Sequence, residues 1–250
     1  MFTDFGHQGP YMGQMEAVLA VLAPGIPTVR LQCDAPAFDA RASAYLLASL
    51  TAPFPADTVF LCVVDPGVGS ARRPLIMKAD GRWYVGPDNG LLAIAARHAS
   101  GGEWWEITWR PEHLSTSFHG RDLFAPVAAM LATGTMPEAA PCVPETGGDW
   151  PDDLAEVIYV DAYGNLFTGL RAERMPAGAG VEIAGHRPVR TRTFSDARPG
   201  ELLWYANAHG LVEIAANQGS AAETLGTAPA RNCPSCTRHR TLQSQGRFGY

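Results

Sequence analysis

Three short stretches place chemically capable side chains beside glycine. In Val64-Asp65-Pro66-Gly67-Val68-Gly69-Ser70-Ala71-Arg72-Arg73, a carboxylate and two arginines follow the apolar run Thr58 to Val64. A continuous β-branched run of this kind reads as a strand buried on both faces. Open α/β sheets gather their ligands at the carboxyl ends of strands, where this segment lies. Taken alone, it is also accounted for as a tight turn, because Asp, Pro and Gly each favour turns. It is not a dinucleotide loop, since Arg72 stands where a third glycine is required. The second stretch, Ser115-Thr116-Ser117-Phe118-His119-Gly120-Arg121-Asp122, sets His, Arg and Asp just before a helical pattern. Gly120 would let a ligand approach the backbone, while the Ser and Thr residues suit helix capping. In the third, Thr3-Asp4-Phe5-Gly6, an Asp at the end of a strand can accept hydrogen bonds from both hydroxyls of a ribose, or serve as a turn or helix cap.

These stretches need a frame, and apolar spacing predicts one. Met12, Met15, Leu19 and Leu22 recur at helical steps over Tyr11 to Leu22, and Pro24 and Gly25 end the helix. Val29 to Cys33 reads as a strand and Ala37 to Leu50 as a second helix. The buried strand is Thr58 to Val64. A third helix is expected from about Asn89 through Ala95, and a fourth from about Arg121 to Ala132. Strands alternating with helices imply an α/β domain with a largely parallel sheet covered on both faces. Prolines and glycines then cluster over residues 134–153, which reads as a linker. Beyond it, Glu156 to Leu170, Val181 to Phe194 and Glu201 to Ala216 read as strands split by turns, a small antiparallel β domain. The expected division is an α/β domain over 1–140, a linker over 141–153, a β domain over 154–228 and a tail over 229–250.

Composition limits the function classes. The net charge of −6 comes without any basic stripe, so nucleic acid is not an expected partner. No stretch approaches the roughly 18 apolar residues of a membrane span. Met1 to Asp4 has neither a basic start nor an apolar run, so no signal peptide is read and the cytoplasm is the expected compartment. Five cysteines, an odd number, argue against a disulfide framework. Cys33 and Cys62 read as buried hydrophobes. Cys233, Cys236 and His239 make only half of a zinc site, because a structural zinc needs four ligands.

Four further motifs read first as structure. Arg82 to Leu91 is strand, turn and helix, with Pro87-Asp88-Asn89-Gly90 supplying turn chemistry. Val160 to Asn165, Asn207 to Gly210 and Asn217 to Ser220 suit hairpin turns.

Taken in order, Thr-Asp-Phe-Gly (3–6), Val-Val-Asp-Pro-Gly-Val-Gly (63–69), Val-Gly-Pro-Asp-Asn-Gly (85–90), Phe-His-Gly-Arg-Asp (118–122), Tyr-Gly-Asn (163–165) and Asn-Gln-Gly-Ser-Ala-Ala (217–222) resemble one family. It is the S-adenosyl-L-methionine (SAM) hydroxide adenosyltransferase family, the adenosine-forming SAM hydrolases, whose halide-using relatives are fluorinase and chlorinase. The resemblance spans about residues 2–228. It implies an α/β N-terminal domain, a β-barrel-like C-terminal domain, and a homotrimer with substrate held between neighbouring subunits. It implies Asp65, Arg72 and His119 as the set that handles the nucleophilic water. Asp4 matches the ribose-binding Asp, and Val68 and Phe118 match positions lining the ribose and reacting carbon. Asp161 matches the residue holding the methionine amino group. Tyr163 and Asn165 match adenine-side contacts, and Gln218 a position beside the adenine edge. Three departures stand out: only Met1 and Phe2 precede Thr3, Ala208 and His209 replace serines common in relatives, and residues 229–250 leave the pattern.

The implied reaction is hydrolysis of SAM at the C5′–S bond, giving adenosine and methionine, with SAM as substrate and no cofactor or metal. The sulfonium makes methionine a neutral leaving group, so the obstacle is obtaining hydroxide from water of pKa near 15.7. Arg72 stays protonated and can stabilise an oxyanion, His119 can accept a proton near neutral pH, and Asp65 can orient the pair. A carboxylate beside the nucleophile would repel chloride or fluoride. A chlorinase-like halide transferase and a SAM- or adenosine-binding protein with little turnover are the alternatives.

Overall fold

The computed structural model describes residues 1–99, 101–227 and 243–244. The chain divides into two compact units, Met1–Asp152 and Asp153–Tyr250.

The first unit contains β1 (Phe2–Thr3), α1 (Tyr11–Leu22), α2 (Ala40–Leu50), β2 (Val59–Val63), β3 (Pro74–Ala79), β4 (Arg82–Pro87), α3 (Ala93–His98), β5 (Glu103–Ile107), α4 (Ala125–Ala132) and β6 (Ala139–Pro141). The six strands form one sheet in the order β1-β2-β4-β3-β5-β6. Only β1/β2 and β2/β4 are parallel; β4/β3, β3/β5 and β5/β6 are antiparallel. The expectation of a largely parallel sheet is therefore corrected to a mixed one. The cause is local: Asp80 and Gly81, both with positive φ (47° and 74°), join β3 to β4 as a two-residue hairpin. Asp-Gly suits such a turn because both residues tolerate the left-handed region.

The three mutually parallel strands matter most for the site. β1, β2 and β4 end at one edge of the sheet, and their next residues are Asp4, Val64-Asp65 and Asp88-Asn89. The sheet is buried on both faces. Leu61, Val63, Ile76 and Val85 pack with Met12 and Met15 of α1 and with Phe124, Val127 and Leu131 at α4. The alternate residues Phe60, Cys62, Leu75, Met77 and Tyr84 point the other way and are also buried. Cys33 and Cys62 are buried as expected, and burial pushes the Cys62 thiol up to about 12.

Helix α1 runs over the predicted residues. Helix α2 starts three residues later than predicted, where the Asp39 side chain accepts the Ala42 N–H at 2.9 Å and Phe38 before it is left-handed (φ 60°). Val29 to Cys33 forms no continuous strand: it follows β1 through a Phe2–Gln32 bridge and the bond from Thr3 N to Gln32 O at 2.9 Å. The third helix begins at Ala93 instead of Asn89, whose side chain is committed elsewhere. The fourth opens as a π turn, Gly120–Phe124, before α4. Part of the stretch read as a linker is β6, and its last residues fold back on the first unit. Arg97 donates to Gly147 O at 2.8 Å, and Tyr45 Oη donates to Pro151 O.

The second unit holds β7 (Leu154–Val160), β8 (Leu166–Arg171), β9 (Val181–Glu182), β10 (Val189–Arg190), β11 (Leu202–Ala206), β12 (Leu211–Ala216) and α5 (Ala221–Thr224). Its five-stranded sheet runs β10-β11-β12-β8-β7. It is antiparallel except for β10/β11. Its outer strands do not pair with each other, so the expected barrel-like closure is corrected to an open sheet. Leu166, Trp204, Val212 and Ile214 form its core with Ala221 and Leu225. Gln243–Ser244 (β13) pairs with β9. The rest of the off-pattern tail, including Cys233, Cys236 and His239, lies outside the described residues. Among the described residues, no helix is long and apolar enough to cross a membrane.

Ile76 is fully buried in the middle of the first sheet. Truncation of such a residue costs about 2–5 kcal/mol. Ile76→Ala should lower the urea midpoint of the first unit's unfolding accordingly, with an unchanged slope; a loss below about 1 kcal/mol would contradict this core position.

Candidate active site

The loop that leaves β2 is short and internally tied. Val68 N donates to Asp65 O at 3.2 Å, Ser70 N to Gly67 O at 3.0 Å, and Arg72 N to Ser70 Oγ at 3.3 Å. At Gly69 (φ 81°) any Cβ would lie 2.6 Å from the Thr116 carbonyl, so only glycine lets this loop meet the 115–122 loop.

The ties turn Arg72 back onto Asp65. Arg72 Nε donates to Asp65 Oδ1 at 2.7 Å and Nη2 donates to Oδ2, a fork-to-fork pair. Both side chains are nearly buried, at 10% and 5% exposure. The guanidinium carbon lies 5.1 Å from the centre of the Phe124 ring. Arg72 Nη2 also lies 3.3 Å from Nδ1 of His119. The three residues named from the sequence thus form one contiguous set.

This contact fixes the state of His119. A guanidinium has five N–H donors and no acceptor. Read as a hydrogen bond, the contact has Nδ1 accepting, which makes the neutral ring with its proton on Nε2 the form that fits. Burial lowers the His119 pKa, and the charge of Arg72 lowers it further, against a smaller opposing effect of Asp65. In that form Nε2 is a donor, an alternative to the proton-accepting role expected for His119. Of the Arg72 donors, Nε and Nη2 serve Asp65 and His119, while Nη1 makes only a 3.5 Å contact with Arg73 O.

His119 sits just before the π turn, and such turns often occur at functional sites. Its loop closes on Asp122, which accepts Ser115 N at 2.9 Å and Arg121 Nε at 2.6 Å. Hydrogen bonding to Arg121 holds the Asp122 carboxyl below its usual range. Phe118 packs edge-on to Phe5 (5.8 Å) and Tyr11 (5.3 Å), with Arg121 over its face.

Asp4 follows β1, and burial raises its pKa, with the Asp65 charge a smaller contribution in the same direction. Its Oδ2 accepts the Phe38 N–H at 3.0 Å. Sequence reasoning missed Phe38, a left-handed residue that is 78% exposed. Val68 lies half-buried in the Asp65 loop.

In the second unit, Asp161 organises the β7–β8 turn. It accepts from Tyr163 N, Asn165 N and Asn165 Nδ2, each at 2.9 Å. Tyr163 is 81% exposed, whereas Asn165 is buried. Gln218 is left-handed (φ 54°) in the turn after β12. The two turns meet through Ala222 N donating to Gly164 O at 2.9 Å, and Asp161, Tyr163 and Ser220 line a groove of about 580 Å³. Ala208 and His209 are exposed beside Asn207. The buried Glu213, bonded by Tyr205 Oη and by Asn207 Nδ2 at 3.0 Å, was not foreseen.

A charged, nearly buried set at the carboxyl ends of parallel strands is the arrangement of an α/β enzyme. Residues 1–141 match the SAM hydroxide adenosyltransferase N-terminal domain and residues 155–233 its C-terminal domain, so the chain belongs to the SAM hydroxide adenosyltransferase family. It is similar to a protein of Thermus thermophilus named (R)-S-adenosyl-L-methionine hydrolase, with 42% identity over 90% of this chain and 93% of that protein. A protein of the same name from Salinispora arenicola is 40% identical over 91% and 93%. A crystal structure of an uncharacterized conserved protein from Thermotoga maritima superposes with a TM-score of 0.85, at 27% identity, covering 97% of this chain and 98% of that one.

In a ¹H–¹⁵N titration, the His119 ring should change protonation below pH 6.5, because both burial and Arg72 oppose its charge. Arg72→Gln should raise that midpoint. A wild-type midpoint at or above 6.5 would contradict the assigned state.

Proposed function

We propose that this protein hydrolyses SAM at the C5′–S bond, converting SAM and water into adenosine, methionine and a proton. The observation that carries the reading is the contiguous Asp65–Arg72–His119 set on a chain of this family. The relatives named as hydrolases match it over nine-tenths of its length.

The chemistry follows from the donors. A water or hydroxide oxygen between Arg72 Nη1 and His119 Nε2 would accept two hydrogen bonds, one of them charge-assisted. Donors aimed at an oxyanion away from bulk water lower the cost of forming it. The proton leaves to solvent, and the bound oxygen attacks C5′ as methionine departs along the opposite line. The attack cancels the sulfonium charge, so charge disperses as the bond forms. Asp65 keeps Arg72 aimed, Asp4 takes the ribose hydroxyls, and Val68 and Phe118 wall the reacting carbon. Asp161, Tyr163, Asn165 and Gln218 serve the methionine and adenine ends, supplied by a neighbouring subunit of a homotrimer. The reaction needs no metal or cofactor, and the enzyme acts in the cytoplasm.

Incubation of the purified protein with SAM, with and without chloride, should give adenosine and methionine in both samples. 5′-Chloro-5′-deoxyadenosine forming only with chloride would move the protein to the halide branch, and intact SAM in both would sink the hydrolase reading. The donor role of His119 makes a separate prediction. His119→Gln places an amide N–H near Nε2 and should keep activity within about tenfold, whereas loss of a general base costs about 10²–10⁴-fold. A His119→Gln loss in that larger range would restore the base assignment.

A further inference from the structure

We propose that Asn89 and Asp88 are positioning residues for the hydrolytic set, Asn89 by fixing the backbone from which Asp65 departs and Asp88 by anchoring the residue next to Arg72. The inference rests on the SAM hydrolase reading of the site.

The geometry starts at the shared edge of the three parallel strands. Asn89 Nδ2 donates to the carbonyl of Val64 at 2.8 Å, and Val64 is the fully buried residue that immediately precedes Asp65. Asn89 Oδ1 meanwhile accepts Leu91 N at 3.2 Å, so both ends of the amide are used. That carbonyl lies one residue past the end of β2. Its peptide is therefore held by a side chain from the neighbouring strand, and the Asp65 Cα is fixed with it.

Asp88 acts on the other end of the same loop. Its backbone N–H donates to Arg73 O at 2.9 Å, and its carboxylate accepts from Arg73 Nη2 at 2.6 Å and Nε at 3.1 Å. The Asp88 side chain is only 2% exposed. It also accepts the Glu145 N–H at 3.1 Å, and Arg73 donates to Val143 O at 2.8 Å. Arg73 is thus pinned by backbone and side chain at once. Asp65 and Arg72 are the two ends of one loop, and residues 88 and 89 clamp the flanks of both. Neither Asp88 nor Asn89 contacts Asp65, Arg72 or His119 directly in these bonds, so their effect is one of aim. Reactions of this kind are sensitive to such aim, because a misplacement near 1 Å can cost about 10²-fold.

The test uses Asn89→Asp, which keeps the acceptor for Leu91 N–H but cannot donate to Val64 O, together with Asn89→Ala and Asp88→Asn. Wild type and variants are compared for SAM turnover, thermal melting and the His119 ring titration. The expected result is a kcat at least about tenfold lower with KM for SAM within twofold, and a His119 midpoint raised as Arg72 drifts from Nδ1. Unchanged kcat with an unchanged His119 midpoint in correctly melting variants would overturn the proposal. So would kcat, KM and melting temperature falling together while the folded fraction keeps the wild-type His119 midpoint. If wild type itself leaves SAM intact, the hydrolase reading fails, and the His119 midpoint alone then decides whether these residues position the set.

Discussion

The site depends on one interaction, the forked pair between Arg72 and Asp65. Burying two charges is costly, and the cost is met only where geometry is good and the remaining donors find partners. Here two parallel hydrogen bonds join the pair, His119 Nδ1 takes another Arg72 donor, and the Phe124 ring lies against the guanidinium. The surroundings follow from that demand. The loop between the two residues must return on itself within a few residues, which Pro66, Gly67 and Gly69 permit. The loop of His119 must come close, which the bare Cα of Gly69 against Thr116 O allows.

The same constraint explains why two adjacent arginines have different fates. Arg72 and Arg73 enter β3, where consecutive side chains leave opposite faces. Arg72 finds Asp65, and Arg73 finds Asp88, with Glu145 3.4 Å and Glu106 3.8 Å away. Arg73 shows how an arginine is held when its task is structural: several acceptors surround it, with backbone carbonyls among them. Arg72 keeps Nη1 nearly uncommitted, a donor that the proposed water could use.

Much of this was legible in the chain and some was not, for physical reasons. Helix α1 was readable because its apolar spacing, its length and the Pro24-Gly25 stop agree. The mixed sheet was misread although Asp80-Gly81 stood between two apolar runs; alternation of strands and helices suggested parallel order, and the local turn chemistry overrode it. The second sheet's strands were readable by their turns, but closure depends on how the edges meet, which no local pattern encodes. Asp65, Arg72, His119 and Asp4 were legible as a series of motifs because each lies within three residues of a glycine in a short loop motif. Phe38 was not, since an exposed aromatic residue carries no periodic signal. The lowered pKa of His119 was not legible either, because burial and an arginine 47 residues away in sequence cause it.

That protonation bears on why hydroxide, and not halide, would suit the site in the proposed reaction. With His119 neutral, the three side chains sum to no net charge, Arg72 and Asp65 having cancelled. A halide brings a full negative charge and can offer no hydrogen in return, so it would face the Asp65 carboxylate with little to compensate its lost hydration. In the proposed mechanism water would enter as a neutral molecule, accept from Arg72 and His119, and develop its charge only as its proton leaves. The positive sulfonium of SAM then lies opposite the forming oxyanion, and substrate binding itself completes the charge balance. A set of three side chains with no net charge at rest, made favourable to an anion only once a cationic substrate is bound, would avoid holding an unproductive anion, which is the discrimination that the proposed hydrolysis needs in the presence of chloride.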